Sequence, residues 1–244
     1  MDLGLDGWRV LVTGATSGVG RAIASELVVE GAEVVGAART EGGEMPEGLR
    51  DRVYEDVVAD GAEQRIVDAA VASLGGLDAI VCAAGRGLHG SLESASEELW
   101  REGLELNLLS VARLLRLSVP HLRERGGRAL VLTALSGTEP RPDHIVSNTA
   151  KAGAAALAKT VSREVAADGI LVNCLAPGRL LSWQVRRNFP TEEERAAFAE
   201  QHIPVGRFGE PAEAAPFAAL LVSPRNTYVT GQTLHVDGGM SHGP

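Results

Sequence analysis

Apolar, β-branched runs alternate with helical periodicity along the whole chain. WRVLVTG (8–14) is a continuous apolar run closed by glycine, and GRAIASELVVEG (20–31) follows with apolar residues at helical spacing up to Gly31. AEVVGAA (32–38) reads as a second strand, and DRVYEDVV (51–58) as a third with a poorer pattern. AEQRIVDAAVASLGG (62–76) is helical, and LDAIVCAAG (77–85) is again a strand. A long helical pattern runs from Glu97 to Arg125, with Ser94 and Glu97 at capping-box spacing. GRALVLTAL (127–135), ILVNCLAPG (170–178) and QTLHVDGG (232–239) are strand-like, and an Ala-rich helix runs from Ser147 to Ala167.

Strands that are apolar throughout, each followed by a helix, bury both of their faces. The pattern therefore predicts an α/β fold of Rossmann type: a single doubly wound parallel sheet with helices on both faces, spanning residues 1–244 as one domain. No internal repeat, charge block or Pro/Ser-rich linker divides it. The irregular stretch is about 179–211, with Trp183, Arg186, Arg187, Phe189-Pro190, Phe198 and a short helix opened by a Thr191/Glu194 capping box. Inserted between the last two strands, it would lie near their carboxyl ends, where ligands bind in open α/β sheets. It reads as a lid over a substrate, with a plain surface excursion as the alternative. Pro216, inside EPAEAAPFAALLV, removes a helical N–H unless it lies in the first turn.

Of 244 residues, 45% are hydrophobic and 23% charged, which leaves no room for a disordered or fibrous chain. A net charge of −9 argues against nucleic acid or an anionic membrane as the main partner. The two cysteines, Cys82 and Cys174, sit inside apolar runs and offer neither a disulfide framework nor metal-ligand spacing, so no metal is expected. The start of the chain lacks a signal-peptide pattern, and a soluble cytoplasmic protein acting on a small molecule is expected. Of 23 basic residues only Lys151 and Lys159 are lysine. In a chain that writes Arg for most positive charges, a retained Lys hints at a need for its compact ammonium, although a solvated Lys159 is equally natural.

The strongest local signal is Thr13-Gly14-Ala15-Thr16-Ser17-Gly18-Val19-Gly20, placed after a strand and opening a helix. Glycines there allow close backbone approach, and a helix N-terminus offers free N–H groups to a pyrophosphate. The spacing Gly-x3-Gly-x-Gly differs from the commoner Gly-x-Gly-x-x-Gly.

With this turn the chain resembles the short-chain dehydrogenase/reductase family, most closely its 3-oxoacyl-carrier-protein-reductase-like members, over its whole length. Asp56-Val57 stands where the family contacts adenine, and Cys82-Ala83-Ala84-Gly85 stands at its Asn-Asn-Ala-Gly position with both asparagines replaced. Asn107 matches a catalytic Asn. Ala176-Pro177-Gly178 matches the segment beside the nicotinamide, which the resemblance extends to Leu180. Tyr228-Val229-Thr230-Gly231 through Asp237-Gly238-Gly239 matches the C-terminal signature. Residues Gly14, Thr16 to Gly20, Ala83, Ala84, Gly85 and Lys151 are thereby implied in cofactor binding, and a homodimer or homotetramer is implied as the assembly. At the end of the second strand, Ala38-Arg39-Thr40 offers no carboxylate for a ribose diol and a guanidinium for a 2′-phosphate, so NADP(H) is expected over NAD(H).

The catalytic segment departs from the family, which places a Tyr four residues before the Lys and a Ser at the preceding strand end. Lys151 is present, but the position four before it is Ser147, and the Ser position is Ala134, near Thr133 and Ser136. The two tyrosines, Tyr54 and Tyr228, lie elsewhere. Ser147 and Lys151 share a helical face, yet a serine hydroxyl is short and weakly acidic; it could hold a water in the phenol's place. His144 and His89 have imidazoles suited to proton transfer, with plain solvent exposure as the alternative. Three readings follow. One is an NADP(H)-dependent carbonyl reductase or alcohol dehydrogenase with a rewired proton relay. Another is a non-redox dehydratase, cyclase, isomerase or lyase on the same fold. The third is a non-catalytic cofactor-binding partner subunit. Trp183, Phe189, Phe198, Arg186 and Arg187 would suit a substrate that is apolar and acidic or phenolic.

Overall fold

A computed structural model describes residues 2–41 and 43–243. Seven strands form one parallel sheet in the order β3-β2-β1-β4-β5-β6-β7. They are β1 (Arg9–Thr13), β2 (Glu33–Ala38), β3 (Asp51–Tyr54), β4 (Ala79–Cys82), β5 (Arg128–Leu132), β6 (Leu171–Pro177) and β7 (Thr233–Val236). The expected third strand stops at Tyr54, and residues after it turn, with the Ala59 N–H donating to the Asp56 carbonyl.

Register explains the continuous apolar runs. Val35, Leu11, Ile80, Ala129 and Val172 are neighbours across five strands. That row packs on α2 (Ala62–Leu74), α4 (Ser110–Leu122) and α5 (Ile145–Val165) through residues such as Ile66, Leu114 and Ala158. The adjacent row, Val12, Val81 and Leu130, points the other way onto α1 (Gly18–Val29) and α8 (Pro211–Val222), against Ile23, Leu27 and Ala218. Each strand thus feeds two cores, and every fully buried Leu or Ile contributes about 1.5–3 kcal/mol of transfer free energy. At the opposite edge from the site, Arg9 donates two hydrogen bonds to the buried Asp78 at 2.8 and 2.7 Å, locking β1 to the start of β4.

The long helix is interrupted. α3 (Glu97–Leu104) passes into a π-helical turn at Glu105–Leu109 before α4 begins. Its cap is Ser96, whose Oγ accepts from the Leu99 N–H at 3.2 Å, and not Ser94 as the spacing predicts. Ser94 is taken up by its own turn, where its Oγ accepts from the Ser91 N–H at 2.9 Å. A spacing rule finds both serines, and the local turn decides between them. The pattern after 179 resolves into α6 (Trp183–Asn188) and α7 (Glu192–His202), and the Thr191/Glu194 capping box of α7 is formed at 3.1 Å in both directions. These helices rest on a small cluster of Ala199, Ile203 and Phe208, apart from both sheet cores. Pro216 lies in the second turn of α8, whose first position is Pro211, so it does leave one helical carbonyl without its N–H. No helix among the described residues is long and apolar enough to cross a membrane.

Candidate active site

The strand order reverses between β1 and β4, and a cleft of about 850 Å³ opens at the carboxyl ends of the strands on either side. One end is made of backbone. Gly14 leaves β1 with a φ of +70°, and a Cβ there would stand 2.9 Å from the Ala84 nitrogen. A Cβ on Gly20 would come within 2.4 Å of the Gly14 oxygen, so only a residue without one closes the turn. Ser17 flanks α1 with extended backbone and its side chain makes no capping bond, which leaves the first N–H groups of the helix free for a ligand. Thr16, Ser17, Gly18, Val19, Arg39, Asp56 and Val57 line this end, together with Ala83, Ala84 and Gly85. Thr13 Oγ1 ties the two strand ends together by accepting from the Ala83 and Ala84 N–H groups at 3.1 and 3.2 Å. The exposed Thr40 and the residues Gly178 and Leu180 stand outside the cleft wall; Leu180 buries its side chain in the second core.

In the middle of the cleft, Lys151 Nζ donates to the Leu132 carbonyl at 2.9 Å. Burial pushes its pKa down from 10.5 to about 8. A Cβ on Gly85 would stand 2.7 Å from Asn107 Oδ1 and 3.1 Å from Lys151 Nζ, so these three residues meet at one point. Asn107 is fully buried in the π-helical turn. Its amide donates to the Arg86 and Gly103 carbonyls, and its oxygen accepts from the Arg86 N–H, each at 3.2 Å. It therefore reaches the cleft by fixing the backbone that leaves Gly85.

Ser147 is buried as well, and its hydroxyl faces the same loop. Its Oγ accepts from the Leu88 N–H at 2.6 Å and donates to the Leu88 carbonyl at 3.1 Å. The hydroxyl expected to hold a water is instead bound twice to backbone, because residues 86–90 run across the space in front of it. Gln184 Nε2 donates to the Gly87 carbonyl at 3.1 Å, and Gly90 pairs with the segment before α5. Sequence reading placed His89 in this loop but missed its hold on Ser147 and Asn107, since the backbone of Arg86 to Leu88 carries no side-chain signal. Thr133 and Ala134 line the cleft, whereas Ser136 sits in the single turn Leu135–Gly137 outside its wall.

The far end of the cleft is basic. His89 lines it, and its ring lies 4.2 Å from that of His144. His144 Nδ1 is 2.9 Å from the Pro142 carbonyl, and burial, with the charges of Arg141 and Arg179, holds its pKa below the usual imidazole range. Asp143 before it is, among the described residues, the non-glycine residue with a left-handed backbone, at φ 57°. Trp183 and Arg187 also line the cleft, with the Arg187 guanidinium 5.3 Å from the Trp183 ring. Cys82 and Cys174 are buried and unpaired, and burial pushes their thiols up to about 12 and about 11.

A parallel sheet that reverses order above a glycine turn and an uncapped helix start defines a dinucleotide-binding protein of the Rossmann class. The family described as enoyl-(acyl carrier protein) reductase matches residues 14–241. The 3-oxoacyl-[acyl-carrier-protein] reductase of Vibrio cholerae is 34% identical over 244 residues, covering 98% of this chain and 99% of that protein. Among solved structures, L-sorbose reductase of Gluconobacter frateurii, complexed with NADPH and L-sorbose, superposes with a TM-score of 0.92 at 31% identity over the whole of both chains. A Pseudomonas aeruginosa PAO1 short chain oxidoreductase containing an atypical catalytic center, bound to NADPH, is 30% identical with a TM-score of 0.90, covering 98% of this chain and 99% of that one. The chain belongs to the short-chain dehydrogenase/reductase family, a family of nicotinamide-dependent oxidoreductases.

Proposed function

We propose that this protein is an NADP(H)-dependent carbonyl reductase, or alcohol dehydrogenase in the reverse direction, whose proton relay does not pass through a tyrosine. The observation that carries the reading is one continuous cleft shared by the Gly14–Gly20 turn, Arg39 and Lys151. The residues present fit an adenine dinucleotide phosphate. The Cβ-free turn and the α1 N-terminus suit a pyrophosphate, and Asp56 and Val57 on the cleft wall would flank an adenine. Arg39, with no carboxylate at Ala38, suits a 2′-phosphate, and Lys151 is placed for ribose hydroxyls. NADPH in two of the similar solved structures supports the same choice.

When bound, the reduced nicotinamide supplies a hydride to a carbonyl carbon. The chain must then give the carbonyl oxygen a proton. Lys151, titrating near pH 8 and lining the cleft, holds an ammonium proton close to neutral pH, and His89 on the same wall is a second carrier toward solvent. Asn107 and Ser147 act as positioning residues, since each grips the 86–88 backbone that follows Gly85, the residue beside Lys151 Nζ. Residues 179–211 serve as the substrate lid, contributing Trp183 and Arg187 to the cleft. The edge strand β7 exposes Leu234, near the exposed Tyr228 and Val229, and Phe217 and Leu220 of α8 are exposed too. These apolar positions support a homodimer or homotetramer.

A thermal-shift titration with NADPH, NADP+, NADH and NAD+ tests the reading. At a hundred times its Kd a ligand stabilises the native state by about 2.7 kcal/mol. A rise selective for NADPH and NADP+, followed by ketone-dependent loss of nicotinamide absorbance, is expected. No rise with any of the four would sink the reading. Substrate conversion without absorbance change would point to a non-redox lyase or isomerase, and cofactor binding with a co-purifying active homologue to a partner subunit.

A further inference from the structure

Residues 179–211 have a small core of their own, and one side chain in it comes from the far end of the chain. Partly buried Met240 packs on Ala199, Ile203 and Phe208, the cluster that also receives Val185 of α6. The neighbours of Val185 on that helix, Trp183, Gln184 and Arg187, line the cleft. Just before Met240 the tail is closed against the lid by backbone. The Val205 N–H donates to the Gly238 carbonyl at 3.1 Å. Gly238 and Gly239 both have left-handed backbone, and a Cβ on them would stand 2.9 Å from Ile203 and 3.3 Å from Pro204 respectively. Asp237 holds this turn, its two carboxylate oxygens accepting from the Gly239 and Ser241 N–H groups at 2.9 Å each.

Beyond Met240 the tail reaches the loop between β5 and α5. Glu139 Oε1 accepts from the His242 and Gly243 N–H groups, and its Oε2 lies 3.1 Å from His242 Nδ1. Next to it, Thr138 Oγ1 is 2.9 Å from Nε2 of His235 in β7. That loop follows Thr133 and Ala134 of the cleft wall and leads into α5, which carries Ser147 and Lys151. Among the described residues Glu139 makes no hydrogen bond or ion pair with α6 or α7, so its link to the lid runs through the tail. A six-residue helix is marginal by itself, and the cluster under α6 lies apart from both sheet cores, so α6 depends on ties of this kind. Gln184, which donates to the Gly87 carbonyl at 3.1 Å, is the other tie. We propose that residues 237–243 are a strap that holds the lid over the cleft, with Met240 as its anchor on the lid and Glu139 as its fixed point beside α5. Glu139 is thus a positioning residue although it stands outside the cleft wall. The strap requires only the contacts described; its role in holding a substrate rests on the reductase reading.

The test is amide hydrogen exchange of the full chain, followed in peptides covering α6 and α7 and, as a reference, β1 and α1. Glu139→Ala should accelerate exchange in α6 and α7 about tenfold and leave β1 and α1 unchanged, since the lid opens locally without the sheet. Met240→Ala should do the same from the other end. The double variant should accelerate α6 no more than the stronger single one, because a strap cut once is already released; independent local effects would multiply. Glu139→Gln keeps a carbonyl oxygen for the two N–H groups and should restore most of the protection. Unchanged exchange of α6 in Glu139→Ala would overturn the proposal. So would acceleration spread equally over β1 and α1, or multiplied effects in the double variant. In a ketone reduction assay, Glu139→Ala should raise KM severalfold more than it lowers kcat, and Glu139→Gln should bring KM back. Faster exchange in α6 with no turnover of any ketone by the unmodified protein supports the strap and counts against the reductase reading alone.

Discussion

At one end of the cleft, Gly14, Gly18 and Gly20 come from one contiguous turn that leads into the uncapped start of α1. At the other end, His89, Trp183 and Arg187 present side chains from two separate segments, the loop after β4 and helix α6. The first end is built on what residues lack, since a single Cβ at Gly20 would strike the Gly14 oxygen. The second is built on what side chains carry: beside it Ser147, four residues before Lys151, is bonded to the Leu88 backbone, and among the lining arginines Arg86 pairs with Glu102. Backbone geometry tolerates little substitution, whereas a side-chain site can change its chemistry without disturbing the sheet beneath it.

The sharpest way to break this contrast is Gly20→Ala. NADP+ affinity is expected to fall about 100-fold, roughly 2.7 kcal/mol, with the fold intact by circular dichroism. Unchanged affinity in a titration would show that the turn is not the phosphate site. The double change Ala38→Asp with Arg39→Ala should come next. It introduces a carboxylate for a ribose diol and removes the guanidinium, so the ratio of NADPH to NADH affinity should drop by about 30-fold, on the order of 2 kcal/mol.

Lys151 sharpens the comparison through pH. Its ammonium is present below about pH 8, so NADP+ affinity should weaken several-fold as pH rises through that value. Lys151→Met should bind about tenfold less tightly, without that pH dependence. Stability runs the other way. With a native pKa near 8 and an ordinary one of 10.5, the unfolded chain holds more protons between the two, so the cofactor-free protein should gain stability over that interval. A flat melting profile from pH 8 to 10 would count against a buried ammonium.

Ser147 gives the smallest effect. Ser147→Ala leaves the Leu88 N–H and carbonyl without their partner and should lower stability by about 1–2 kcal/mol in a denaturant melt. Ser147→Tyr is expected to yield no new reductase activity. A phenol there must displace the 86–90 loop, which Asn107, Gln184 and the Gly90 pairing hold in place. A gain in ketone reduction by that variant would mean that the loop yields readily and that the family's geometry survives beneath it.

Much of this was legible beforehand, and for identifiable reasons. The alternation of continuous apolar strands with amphipathic helices follows from a sheet buried on both faces, so a doubly wound parallel sheet could be expected before any coordinate, while the strand order came only with the structure. The Thr191/Glu194 cap is a contact over three residues and was equally readable. The Ser94/Glu97 spacing misled, because Ser91 competes for Ser94 and Ser96 takes the helix end. The break at Glu105–Leu109 left no trace in periodicity, since a single π-helical turn shifts the phase by only one residue.

The sequence by itself thus determined the fold, the family and the glycine turn after β1, because these depend on hydrophobic period and on glycines a few residues apart. Tertiary structure alone decided the rest: that Asn107 grips the Arg86 backbone, that Ser147 is occupied by Leu88, and that Gln184 reaches the Gly87 carbonyl. Those partners are separated by 21, 59 and 97 positions along the chain. Only the packing of loops over the ends of the strands brings them within reach, and local pattern carries no information about which distant backbone a side chain will grip.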